Sequence, residues 1–487
     1  MCDAEAACAD LLSGFAGAPM ERLQNEVIVI GSGAGGATVA GGLARAGVRV
    51  TVIEAGPQRA GSPGSHVRNV DPGESGMDAY AEAINRDLVY PSEGKRPIPG
   101  LVGLKVAYGV GGMFAFWTNN CPRPHPAELP DWIDNSDWSR YLDRACNLLG
   151  VTATAFMRGV RMQRLLERTE EAVGPLPAGR EVQPMPVAAR WVDGRLHFAG
   201  AAELLGFDLV RDTLALRPEL IAHAVLHDGR RATAVATHPR GGGPPVTIEA
   251  DAIVVAAGTI GTPQLLVASD IDAGPALGRG IFDHPAFASR VALAPELADG
   301  VPEDDPAFSI WVPYSPEHPW HNQVCRFPVN PSPLALDTPA YRTADLFTWI
   351  PMDVDLDNRL VFDRARRDSF GLPEVRAVMR LSEATWYRAE SGLAEHFRIA
   401  AAIGDLGNGW YPTFLKPGES THLMGSCRMG PRDDGRAVVD CFGRLWGYDN
   451  LYVAGNAVLA HTNAGNPSIV SIACALRTVE RIVGNVG

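Results

Sequence analysis

Val27-Ile-Val-Ile30-Gly31-Ser-Gly33-Ala34-Gly-Gly36 is a β-branched apolar run that breaks at once into a glycine-rich turn. An Ala-rich stretch of helical character follows to about Ala46, and a second apolar run, Val48 to Ile53, ends at Glu54. Strand, glycine turn, helix and strand within about thirty residues is the setting that a dinucleotide fingerprint requires. Gly31 permits the tight turn, Gly33 lets backbone approach a pyrophosphate, and Gly36 lets helix and strand pack closely. The helix amino terminus then turns its free N–H groups and positive dipole end toward the phosphates. Glu54 stands where an acid accepts hydrogen bonds from an adenosine ribose, and a carboxylate there disfavours the 2′-phosphate of NADP.

The rest of the composition narrows the field. The chain has 487 residues, enough for two or three domains at roughly 100–200 residues each. Its net charge of −13 argues against a nucleic acid or an anionic membrane surface as partner, because basic residues would have to supply either attraction. No apolar stretch approaches the roughly 18 residues that span a bilayer. Asp3 and Glu5 stand where a secretory leader carries Lys or Arg, so the expectation is a cytoplasmic protein. Cys2, Cys8, Cys121, Cys146, Cys325, Cys427, Cys441 and Cys474 include no CxxC pair, and neither zinc-ligand spacing nor a disulfide framework is readable.

Residues 60–130 are rich in Gly, Pro and polar groups and contain a second glycine turn, Gly109-Val-Gly111-Gly112-Met113, leading into Phe114-Ala-Phe-Trp117-Thr118. Leu214 to Ala250 alternates between turns at Asp228-Gly229 and Gly241–Pro245 and reads as a β-meander. Asp251 to Pro263, with Ala257-Gly258 at its turn, reads as a buried parallel strand running into a helix. Residues 290–420 mix Trp, Pro and charge and look like a second domain. The chain then returns to α/β style with Leu451-Tyr-Val-Ala-Gly455-Asn456 and a helix from about Pro467 to Val483.

The most informative stretch is Ser420-Thr-His422-Leu-Met-Gly425-Ser-Cys-Arg428-Met429-Gly430, followed about forty-four residues later by Asn466 in Asn463-Ala-Gly-Asn466-Pro467-Ser468. With the amino-terminal fingerprint, this resembles the glucose-methanol-choline (GMC) family of flavin oxidoreductases. Four further motifs are similar to the pyranose oxidase and bacterial C-glycoside 3-oxidase branch of that family. They are Gly111-Gly112-Met113 with Trp117-Thr118, His321-Asn-Gln323 with Arg326, the run Asn358 to Phe362, and Ala464 to Ser468.

The resemblance implies an α/β fold, with a Rossmann-like FAD-binding domain and a second α+β substrate-binding domain built on an antiparallel sheet. It places the first over 20–125, 205–290 and 420–487, and the second over 126–204 and 291–419. It makes His422 the catalytic base and Asn466 its partner at the same oxygen, in the removal of a hydroxyl proton with hydride transfer to flavin N5. FAD contacts are implied at Gly31, Gly33, Ala34, Gly36, Glu54, Gly111, Gly112, Met113, Trp117, Thr118, Ala224, Val225, Ala257, Gly258, Gly455, Asn456, Asn466, Pro467 and Ser468. Asp283-His284-Pro285 resembles the family's entry to the substrate domain, structural or cofactor-adjacent.

Gln323 aligns with a sugar-contacting position, and Phe327 replaces a neighbouring acid there. His461 competes for the role of base because it sits in the same loop as Asn466. Phe114 to Trp117 stand where many pyranose oxidases carry the histidine that binds their flavin covalently, so noncovalent FAD is expected. The expected reaction is oxidation of a secondary ring hydroxyl of a sugar or glycoside, with O2 or a quinone-like acceptor taking the electrons. A polyol or aminosugar is the alternative substrate; a cyanohydrin-type lyase and an NAD-linked dehydrogenase are the rival activities.

Overall fold

The computed structural model describes residues 20–21, 27–59, 61–69, 88–89, 97–302, 305–326, 340–406 and 411–486. The fingerprint run is strand β1 (Val27–Ile30), followed by helix α1 (Ala34–Arg45) and strand β2 (Val50–Ile53). Helices α2 (Asn135–Leu149) and α3 (Val160–Val173) come next, then strands β3 (Leu214–Arg217), β4 (Leu220–His227), β5 (Ala232–Pro239), β6 (Val246–Glu249) and β7 (Ala252–Val255). Helix α4 (Gly258–Ala268) leads to β8 (Ala286–Leu293), β9 (Ser309–Val312), β10 (His321–Cys325) and β11 (Thr343–Trp349). The hairpin β12 (Arg359–Arg367) and β13 (Pro373–Val378), helix α5 (Glu383–Ile403), strand β14 (Leu451–Val453) and helix α6 (Ser468–Val486) complete the elements used below.

Five strands form a parallel sheet in the order β14-β7-β1-β2-β3. Every residue of β1, β2 and β7 is buried, as continuous apolar runs in a parallel sheet demand. From β1 the chain moves to β2 on one side and later to β7 on the other. That reversal opens a crevice at the carboxyl ends of the strands, where ligands of such sheets bind. Helices α1 and α6 pack into one core with this sheet. Helix α2, which lies in the segment expected for the substrate domain, buries Trp138, Tyr141, Leu142 and Ala145 in that same core. The expected meander begins at β4 and comprises β4, β5 and β6, whereas β3 joins the parallel sheet.

The second large sheet is antiparallel and runs Gly404–Asp405, β8, β11, β10, β9 and Gln183–Pro184. Alternation sorts its two faces. Val291, Ile310, Val324 and Leu346 point into a core shared with α3 and α5. Ala288, Gln323, Phe347 and Trp349, out of phase with them, line a cavity on the opposite face. A slip of one residue would exchange the two sets. Among the described residues, no helix is long and apolar enough to cross a membrane, no group of His, Cys, Asp and Glu could hold a metal ion, and six cysteines are free thiols.

Candidate active site

A cavity of about 1230 Å³ runs from the glycine turn after β1 to the inner face of the antiparallel sheet. At the turn, Gly31 has φ +98°, and a Cβ there would stand 2.5 Å from the Ala256 carbonyl oxygen, so only glycine fits between β1 and β7. Gly33, Gly258 and Gly455 instead have nothing within 4 Å of where a Cβ would be, and all three line the cavity. Gly33 caps α1 without any side-chain hydrogen bond, and no acidic residue stands in the first turn. Free N–H groups on an open glycine shelf form an anion site at a helix amino terminus. The residues present therefore fit a dinucleotide.

Glu54 is buried on the cavity wall with its carboxylate engaged by the protein. Oε2 accepts from Ser32 N (3.1 Å) and Ser32 Oγ (2.6 Å), and Oε1 from Gly56 N (2.9 Å) and Gly109 N (3.3 Å). Ser32 Oγ accepts in turn from Gly111 N at 3.0 Å. Glu54 thus ties the first glycine turn to the second, a role not legible from its position after β2. Burial pushes its carboxyl upward, opposed by these donors.

Ala34, Gly112, Met113, Trp117, Thr118, Ala257, Asn456, Asn466, Pro467 and Ser468 all line the cavity. Gly36 and Gly111 act from behind it: a Cβ on Gly36 would collide with the Gly31 carbonyl, and Gly111 holds Ser32. Ala224 and Val225 lie off the wall. The cavity meets β4 at Leu220, Ile221 and Ala222, and the strand shifts register between Ala222 and Ala224 and runs on into the core, where Val225 N donates to Ser269 Oγ.

At the far end, three elements bring His422, His284 and Asn466 together. The turn before His422 is held by Asp283, whose carboxylate accepts from Gly418 N (3.0 Å) and from Ser420 Oγ. Ser420 Oγ accepts from His422 N at 2.9 Å. His284 follows Asp283 and faces His422, with the two Nδ1 atoms 2.9 Å apart. His284 Nε2 meets the Asn463 carbonyl oxygen, and Asn466 Nδ2 stands 3.1 Å from His422 Nε2.

These contacts have one consistent proton assignment. A carbonyl can only accept, so His284 carries its proton on Nε2 and offers the Nδ1 lone pair. His422 must then donate from Nδ1, which leaves the Nε2 lone pair directed at the Asn466 amide and the cavity. Burial pushes His422 well below its ordinary value, aided by His284 and His321, and lowers His284 to about 4. Both rings are therefore neutral at pH 7, as this assignment requires.

The wall beside His422 is aromatic. Trp349 lies 5.1 Å from the His422 ring and stacks on Phe347 at 5.3 Å with an interplanar angle of 10°. Gln323, also buried on the cavity, donates to Ser309 Oγ at 3.0 Å. His321 is buried and accepts from Trp311 Nε1 at 3.0 Å. His461 is exposed, its Nδ1 3.1 Å from the Thr462 carbonyl oxygen, and does not line the cavity. Phe327 lies outside the described residues. Sequence reasoning missed Trp349 and the contact of His284 with His422. The Asp283-His284-Pro285 motif marked the second without showing what it touches.

Known proteins resemble the chain along most of its length. Residues 104–286 and 357–475 match models described as GMC oxidoreductase, and 29–83 match an NAD(P)-binding Rossmann-like domain. The C-glycoside 3-oxidase of Arthrobacter globiformis is 32% identical, with 94% of each chain covered. The pyranose 2-oxidase of Tricholoma matsutake is 26% identical over 86% of this chain and 82% of its own. The solved formate oxidase of Aspergillus oryzae superposes with a TM-score of 0.72 at 12% identity, covering 95% of this chain and 98% of that one, and is alike in fold. With a relative this similar along nearly its full length, and a cavity built for a dinucleotide, the chain belongs to the GMC oxidoreductase family and is an FAD-binding enzyme.

Proposed function

We propose that this protein oxidises a secondary ring hydroxyl of a sugar or glycoside to a keto sugar, with His422 as general base and noncovalently bound FAD. The observation that carries the reading is the one-way hydrogen-bond chain from the Asn463 carbonyl through His284 to His422, which leaves an unprotonated Nε2 facing the Asn466 amide and the cavity.

FAD, when bound, supplies the two-electron acceptor for the carbinol hydrogen. His422 Nε2 takes the hydroxyl proton, and the resulting imidazolium keeps its Nδ1–H on His284. The Asn466 amide turns an N–H to the same oxygen as negative charge develops there. Phe347 and Trp349 offer a flat apolar wall to the C–H face of a ring, and Gln323 offers a polar contact to its hydroxyls.

The FAD pyrophosphate is assigned to the N–H groups after Gly33 and the ribose to Glu54. Met113, Trp117, Thr118, Gly258 and Asn456 are assigned to the rest of the cofactor. Phe114-Ala-Phe-Trp117 offers no imidazole for a covalent flavin bond. The names of the relatives point to O2 as acceptor; a quinone-like molecule is the alternative.

Anaerobic titration with glycosides, free pyranoses, polyols and aminosugars tests the reading. Glycosides or pyranoses should bleach the flavin. Bleaching by acyclic polyols alone, or by nothing in the panel, would overturn it.

A further inference from the structure

Glu128 is buried and belongs to no step above. It ends the short 3₁₀ turn Pro126–Glu128, and its Oε2 accepts from His125 N at 2.6 Å, an ordinary cap for that turn. Its other oxygen does something a cap does not require. Oε1 accepts at 2.6 Å from the backbone N–H of Ala464, a residue 336 positions away. Ala464 sits between Asn463, whose carbonyl fixes the proton on His284, and Asn466, whose amide meets His422.

We propose that Glu128 is a positioning residue for His422, its carboxylate clamping the loop 463–466 that supplies both outer partners of the histidine pair. The proposal rests on the reading of His422 as the base.

The charge state of the clamp follows from its surroundings. Burial pushes the Glu128 carboxyl up to about 7, against the pull of the Ala464 and His125 N–H groups and of Arg180. The other titratable groups around it are the His125 ring, lowered by burial, and Tyr314, raised by burial and then by Glu128 itself. Arg180 donates to the Tyr314 carbonyl oxygen at 2.7 Å, and burial lowers it from its ordinary value.

Above neutral pH the carboxylate accepts both N–H groups. Below it the carboxyl carries a proton on one oxygen, which becomes a weaker acceptor, so the clamp on one of the two N–H groups loosens. His422 and His284 are pushed too low to produce a transition near pH 7.

The test follows anaerobic flavin reduction by a saturating glycoside in the FAD-loaded enzyme across the neutral range. The limiting reduction rate of the natural protein should fall about tenfold or more on the acid side of pH 7. Glu128→Gln keeps an acceptor for Ala464 N–H but cannot titrate, and should lose that limb. Infrared spectra should show a carboxylic C=O band appearing with the same midpoint, absent from the variant. A limb that survives in Glu128→Gln overturns the proposal.

If the variant does not fold, agreement of the infrared and kinetic midpoints in the natural protein supports the proposal, and disagreement overturns it. A flavin that no alcohol bleaches at any pH overturns the reading of the site, and the proposal that rests on it. The infrared titration then still shows whether Glu128 itself ionises near neutral pH.

Discussion

A histidine serves as a base only if one ring nitrogen is bare toward the substrate and the other holds its proton in place. In this protein the second condition is met by His284, far away in sequence. His422→Ala should retain FAD and lose flavin reduction by roughly 10²–10⁴-fold, as expected for a general base, measured by stopped-flow bleaching. His284→Ala removes the acceptor for His422 Nδ1–H and should cost about 10²-fold while leaving FAD bound, on the scale of lost supporting hydrogen bonds at catalytic sites. A His284→Ala enzyme as fast as the natural one would refute the proton assignment. His422 and Asn466 were legible because motif and spacing identify them together. The work of His284 was not, because it depends on which carbonyl happens to face its other nitrogen.

Strand β10 brings Gln323 to the cavity, and helix α5 holds the strand there through one carboxylate. Glu395 is buried, and its Oε1 accepts from His318 Nε2 (2.6 Å), Trp320 Nε1 (2.7 Å) and Asn322 Nδ2 (2.7 Å). Glu395→Ala strands three donors in the interior. It should destabilise the protein by about 3–5 kcal/mol, since each buried donor left without an acceptor costs about 1–3 kcal/mol, and lower its denaturant midpoint. A change under about 1 kcal/mol would mean that the cluster does not hold the strand. Neither partner was readable in advance, since 290–420 shows mixed composition and no motif ties Glu395 to the loop before β10. The same limit applied to β3, whose residues continue the alternation of the meander yet pair with β2. Pairing partners lie outside any local window.

At the scale of the whole molecule, one cavity joins the parallel sheet, proposed here to hold the cofactor, to the antiparallel sheet, proposed to face the substrate. Acid precipitation should release yellow flavin into the supernatant, and flavin retained in the pellet would refute noncovalent binding. Adding FAD back at about 100-fold over its Kd should stabilise the apoprotein by about 2.7 kcal/mol, read as a rise in unfolding midpoint.

The amino-acid sequence determined the strand-turn-helix that binds the nucleotide, because buried parallel strands are unbroken apolar runs and the turn admits only glycine at Gly31. It also marked His422 and Asn466 by short motifs, the two side chains proposed here as base and carboxamide partner, which the structure brings to 3.1 Å. Only the tertiary structure decided that α2 joins the core of the parallel sheet, that Phe347 and Trp349 form one wall with His422, and that Asn463 sets the protons on two histidines. Those outcomes are contacts between residues far apart along the chain, set by how the two sheets meet rather than by local pattern.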